Sequence, residues 1–122
     1  MITRFKCKKI ILPDTVASGY VYISNGRIRF IGNEELPYNT EVDCGENYLS
    51  PGFIDLHVHG GAGYDFGSCS AEEAQLIAAY HLSHGTTTLL PTLAAAPLPT
   101  LAKSIERLRP WLDTTPGVHL EG

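Results

Sequence analysis

The sequence predicts a mixed α/β fold: a β-rich stretch to about residue 50, then a strand–helix–strand–helix–strand series of the kind that builds a parallel sheet with right-handed crossovers. Three observations carry this. Two aromatic and β-branched runs flank Asn25-Gly26 in the first part, which signals a hairpin. A helix start signal and a 3.6-residue apolar period signal two helices in the second part. Equivalent strand positions there, Ile54, Thr87 and Val118, are 33 and 31 residues apart, close to the ~30-residue size of a βαβ unit.

Taken in order, a first strand is predicted over Thr3 to Leu12, ended by Pro13-Asp14. Tyr20–Ser24 and Arg27–Ile31 form the hairpin, because Asn and Gly accept the positive φ pair of a type I′ turn. A short strand near Glu41–Cys44 follows a polar connection containing Pro37 and Asn39. Phe53–His59 opens the second part and is bounded by Gly60-Gly61. Ser70 with Glu73 three residues later reads as a capping box, opening a helix to about Ser83 with Gly85 as its left-handed cap. Thr86–Leu90 is predicted as a strand stopped by Pro91. Leu101, Ile105, Leu108 and Leu112 step by four, three and four and give the second helix one apolar face, ending before Pro116-Gly117. Val118–Glu121 is the third strand.

Composition narrows the function. Of the 122 residues 43% are apolar and 18% charged, and 9 Lys+Arg against 13 Asp+Glu leave a net charge of −4 with no basic run. That balance excludes a nucleic-acid surface or an anionic-membrane patch, and points to a small-molecule partner. Ile10-Ile11-Leu12 is too short for a signal-peptide core or a span of ~20 apolar residues, so a soluble cytoplasmic chain is expected. Cys7, Cys44 and Cys69 are odd in number and widely spaced, which predicts reduced thiols. The length falls short of the ~250 residues of a complete (β/α)8 barrel.

The sharpest candidate is His57-Val58-His59. Residues two apart on a strand share a face, so both imidazoles can reach one metal ion. The alternation sets Phe53, Asp55, His57 and His59 on one side, and Ile54, Leu56 and Val58 on the other, suited to packing under helices. The same His spacing also suits a hydrogen-bonded pair on a polar edge strand, but its place at the C-terminal end of a βα strand favours the metal. Asp55 is either a partner orienting an imidazole or a carboxylate capping local backbone groups. Glu121 shares a face with His119 at the end of the third strand and could bind or bridge a divalent ion, although a Glu in such a position is ordinarily just solvated. His119 reads as a satisfied interior residue, and His81 and His84 as polar residues favoured near a helix C-terminus. Nucleotide-binding and serine- or cysteine-nucleophile patterns are absent.

Ser50-Pro51-Gly52-Phe53-Ile54-Asp55-Leu56-His57-Val58-His59-Gly60 resembles the P-G-F-I-D-x-H-x-H signature of the amidohydrolase superfamily. His84-Gly85-Thr86-Thr87-Thr88 with Pro91-Thr92, and Val118-His119-Leu120-Glu121-Gly122, are similar more narrowly to its N-acetylglucosamine-6-phosphate deacetylase branch. The resemblance implies the first three strands and two helices of a (β/α)8 TIM-like barrel over 51–122, preceded by part of a small β-sandwich over 1–50. It implies His57, His59 and Glu121 as metal ligands, with one or two divalent ions, zinc foremost, and Asp55 behind them. It also implies hydrolysis of an acetamide on an amino-sugar phosphate by a homo-oligomeric protein, with no nucleic-acid or membrane partner. The catalytic aspartate, the remaining histidine ligands and the phosphate-binding groups are then expected beyond residue 122, which makes the chain the N-terminal portion of a longer protein and inactive alone. Two other readings compete: a stand-alone, non-catalytic module, and a cyclic-amide hydrolase of the same superfamily. An unclosed barrel edge predicts that residues 1–122 alone are insoluble or self-associating.

Overall fold

The computed structural model describes residues 1–121; Gly122, the last residue of the third-strand motif, lies outside the described residues. Two units divide the chain, one spanning Met1–Pro51 and the other starting at Gly52.

The first unit is a five-stranded sheet of β1 (Ile2–Ile11), β2 (Val16–Ser24), β3 (Arg27–Gly32), β4 (Thr40–Asp43) and β5 (Tyr48–Leu49), in the order β3-β2-β1-β4 with β5 also against β1. The β2–β3 hairpin turns at Asn25 (φ 52°) and Gly26 (φ 67°), the left-handed pair that the dipeptide predicts. Strands β4 and β5 both run parallel to β1, with Thr3 opposite Thr40 and Lys9 opposite Tyr48. Cys7, Ile10 and Val21 form a small buried core flanked by Phe5, Leu12, Ile23, Cys44 and Leu49. Elsewhere in the sheet the guanidinium of buried Arg4 lies over the Tyr20 and Tyr38 rings, 4.6 and 3.8 Å from their centroids, and its Nε donates to Glu41 Oε2 at 2.6 Å. Buried Tyr22 accepts from the Leu36 N–H at 2.9 Å and donates to Glu34 O at 3.3 Å, which stitches the polar connection to the sheet. Strand β5 escapes sequence detection because two residues carry no period.

The second unit is a three-stranded parallel sheet in the order β10-β9-β6, made of β6 (Phe53–Val58), β9 (Thr86–Leu93) and β10 (His119–Leu120). A two-stranded hairpin, β7 (Gly60–Gly61) and β8 (Tyr64–Asp65), follows β6. Helix α1 (Ala71–Ser83) begins with the predicted capping box: the Glu73 N–H donates to Ser70 Oγ at 3.2 Å, and the Ser70 N–H to Glu73 Oε2 at 2.8 Å. Helix α2 (Leu98–Leu112) presents Leu101, Ile105, Leu108 and Leu112 to the core, as the periodicity predicts. Between helices and sheet lie Val58, Phe66, Cys69, Ala74, Ile77, Leu89, Leu93, Leu108 and Trp111. Phe66 and Trp111 stack with centroids 5.6 Å apart. Burial pushes the Cys69 thiol pKa up, and the Cys44 thiol in the first unit is raised by the same cause. No helix among the described residues is long and apolar enough to cross a membrane.

Two expectations are corrected. Pro91 does not end β9; the strand continues to Leu93, with Pro91 opposite Val58. Proline has no N–H to give to the ladder; beside it the Val58 N–H donates to a side chain, Thr92 Oγ1, at 3.1 Å. Of the residues expected beneath helices, only Val58 is covered. Ile54 and Leu56 are 66% and 64% exposed, because β6 is an edge strand and the helical layer reaches only its C-terminal end.

Candidate metal centre

The candidate site forms at the C-terminal ends of β6 and β10. His57 and His59 do share a face of β6: their Nε2 atoms are 3.2 Å apart, while Val58 between them points into the core. The β6–β9 register shifts between Asp55 and Val58, a bulge-like irregularity at the point where the first imidazole is presented. Local bulges re-aim side chains in this way.

Glu121 arrives from the other end of the sheet. Its N–H donates to Leu93 O at 3.0 Å, continuing the β9–β10 pairing in which His119 lies opposite Thr92. Its carboxylate reaches across β9 to both imidazoles, with Oε2 3.2 Å from His59 Nε2 and Oε1 3.7 Å from His57 Nε2. On the intervening strand, Thr92 lies opposite His119. Fully buried, Thr92 is held by two bonds, accepting from the Val58 N–H and donating to Leu90 O, both at 3.1 Å.

Three donor atoms of these residues lie within 4.8 Å of one another. A tetrahedral ion with ligands at 2.0–2.1 Å spaces its donors about 3.3 Å apart; the His57–His59 separation and the His59–Glu121 Oε2 separation, both 3.2 Å, match that spacing, while His57 meets the other carboxylate oxygen, Oε1, at 3.7 Å. The donor set of two imidazole nitrogens and one carboxylate is the kind that zinc and similar borderline divalent ions take. All three side chains are partly exposed, which leaves a face open to solvent.

The other candidates fall into place around them. Asp55 Oδ1 accepts from the backbone N–H of His57 at 3.1 Å, so the bond it makes is to the main chain and not to the imidazole ring. The His119 ring packs edge-on against His57 with centroids 4.8 Å apart, closer to the site than a plain interior residue. His84 Nδ1 lies 2.8 Å from Tyr80 O at the C-terminus of α1, in keeping with its reading as a helix-end residue. His81 instead reaches back to Gly60 O. Asp65 Oδ1 accepts from the Gly67 N–H at 2.7 Å and shapes the loop before α1. The spacing rules single out neither Thr92 nor His81; the only available signal is that both stand within the quoted motifs or beside them. A cavity of about 510 Å³ between α1, β9 and the end of α2 is lined by Gln75, Leu82, Thr87, Trp111, Thr115 and neighbours, none of them titratable, and holds no comparable chemistry.

Residues 48–122 match the amidohydrolase family. The chain is 35% identical to the N-acetylglucosamine-6-phosphate deacetylase of Bos taurus, with 99% of this chain aligned to 32% of that protein. It is 38% identical to the enzyme of the same name from Danio rerio, with 99% aligned to 33%. Among solved structures, N-acetylglucosamine-6-phosphate deacetylase from Pasteurella multocida superimposes with a TM-score of 0.85 at 27% identity, over 100% of this chain and 34% of that one. The chain therefore spans about a third of the length of the curated relatives it matches.

Proposed function

The chain belongs to the amidohydrolase family, and from that premise we propose that it is the N-terminal part of a metal-dependent deacetylase acting on N-acetylglucosamine 6-phosphate. Glucosamine 6-phosphate and acetate are the products. The single observation that carries this is the convergence of His57, His59 and Glu121 from the first and third parallel strands at metal-ligand spacing. The substrate assignment is supported by the activity named for its relatives.

In this reading His57, His59 and Glu121 hold one divalent ion, zinc by donor chemistry, or share in holding two. The bound ion would polarise the acetamide carbonyl and lower the pKa of a water beside it. Each imidazole offers its Nε2 lone pair, and the Glu121 carboxylate offsets the cationic charge. Asp55 accepts from the main chain at His57, and Thr92 from the main chain at Val58 between the two histidines. The proton for the leaving amine needs a general acid, for which no residue among 1–121 is assigned. The parallel strand order and the site's position at strand C-terminal ends support a further assignment: 51–122 begins a (β/α)8 barrel and 1–50 forms part of a β-sandwich.

A direct test is acetate release by the full-length protein carrying this chain. Turnover of N-acetylglucosamine 6-phosphate without ring opening of hydantoins or dihydropyrimidines is expected. Ring opening with no acetate release would replace this reading with that of a cyclic-amide hydrolase.

A further inference from the structure

His81 is unused by the mechanism above, yet it touches the segment that carries a proposed ligand. Its Nε2 lies 2.9 Å from the carbonyl oxygen of Gly60, the residue directly after His59. A carbonyl only accepts, so Nε2 carries the proton and donates. The bond ties the last turn of α1 to the backbone just past the imidazole that faces Glu121.

The rest of this peptide segment is held as tightly. The His59 carbonyl accepts from the N–H of Phe66 at 2.9 Å, and Phe66 is fully buried against Trp111. Gly60 and Gly61 pair with Asp65 and Tyr64. A Cβ at Gly60 would fall 2.1 Å from Tyr64 O, and one at Gly61 would fall 2.9 Å from His81 Nε2 and 3.3 Å from Tyr80 Cδ1. The helix ring therefore lies directly on the glycine pair. Two adjacent glycines are the most conformationally free step a chain can contain, and a step that free would leave the preceding side chain poorly aimed. His81 supplies the hydrogen bond on the helix side that removes this freedom.

We infer that His81 is a positioning residue: its Nε2–H bond to Gly60 fixes the peptide following His59 and so aims the His59 imidazole at the proposed metal centre. The inference rests on the metal reading given above. Groups that orient a ligand without touching the ion typically change affinity 10–100-fold when removed.

The experiment uses His81→Phe, which keeps a ring over the glycines but loses the donor, and His81→Gln, which places an amide N–H near the position of Nε2. In the full-length protein, hydrogen exchange at the Gly61 amide and zinc affinity by chelator competition are measured for both variants, with the cobalt(II) visible spectrum as a report on ligand geometry. Expected are faster Gly61 exchange, 10–100-fold weaker zinc binding and an altered cobalt spectrum in His81→Phe, all restored toward wild type in His81→Gln. Unchanged Gly61 exchange in His81→Phe overturns the clamp, and faster exchange with unchanged zinc affinity overturns its effect on His59. Failure of His81→Gln to restore either quantity overturns the role of the donor. Wild-type protein that binds no zinc overturns the metal reading itself, and the exchange rates then decide the clamp on their own.

Discussion

Replacing Glu121 by Gln tests the proposed centre with little steric change. The amide keeps the volume and one acceptor oxygen, but removes the only negative charge among the three donors. One donor atom from each residue lies within 4.8 Å of the others, and two of the closest separations are 3.2 Å against the spacing of about 3.3 Å that a zinc ion imposes, so side-chain adjustment suffices for binding. Binding energy is then set by the donors themselves. Removing a partner that never touches the ion costs 10–100-fold, so loss of a charged donor should cost at least about 100-fold in zinc affinity, or about 2.7 kcal/mol. Asp55→Ala, which removes only a main-chain bond to His57, should cost about 10-fold. Metal-free full-length protein titrated with zinc against a chromophoric chelator at fixed pH reads both numbers, and elemental analysis gives the stoichiometry. Wild-type affinity in Glu121→Gln, or a larger loss in Asp55→Ala than in Glu121→Gln, would refute the reasoning.

Three further outcomes are expected. Thr92→Val leaves the buried Val58 N–H without its acceptor and should destabilise by about 1–3 kcal/mol in denaturant unfolding, whereas Thr92→Ser should stay near wild type; equal stability of all three would remove the bridging role. Cys69, buried and with its thiol pKa raised by burial, should react with a disulfide reagent at pH 8 far more slowly in native than in unfolded protein, and rapid native labelling of Cys69 would contradict its place in the core. Glu72 is held below the usual carboxylate range by its own backbone N–H and then by the Ser70 hydroxyl. Its contribution is therefore complete above the ordinary glutamate pKa of about 4.3 and lost as pH falls through the lower folded value. The Tm gap between wild type and Glu72→Gln should accordingly narrow below about pH 4, and an equal gap at pH 7 and pH 3 would count against it.

Local chemistry made much of this molecule readable in advance. Asn25-Gly26, the Ser70–Glu73 box and the Leu101–Leu112 stripe each specify their element through interactions within a few residues, and the structure shows all three. Strands β5, β7 and β8 are not readable, since their two-residue pairings fall in or beside glycine-containing turns and, unlike β10, carry no apolar alternation. Pro91 misleads for a related reason: β9 runs on through it to Leu93, and the N–H of Val58 opposite it finds its acceptor in the hydroxyl of the next residue, Thr92. At the site, alternation alone pairs His57 with His59, and it sets Glu121 on the face of His119. That Glu121 meets the histidines depends on the order β10-β9-β6. His81 does stand in the last turn of α1, but nothing in its neighbourhood along the chain announces the Gly60 carbonyl that its ring meets.

The carboxylate that completes the donor triad sits just past the shortest strand of its sheet, the two-residue β10. His59 and Glu121 are separated by roughly 60 residues that include both helices and β9. An ion gripping both would act as a removable staple across that loop, with a closure entropy equivalent to about 4 kcal/mol on the scale used for covalent cross-links. Its presence would join the tips of β6 and β10 across the intervening β9, so that one removable ion sets the spacing of two strands that do not pair with each other.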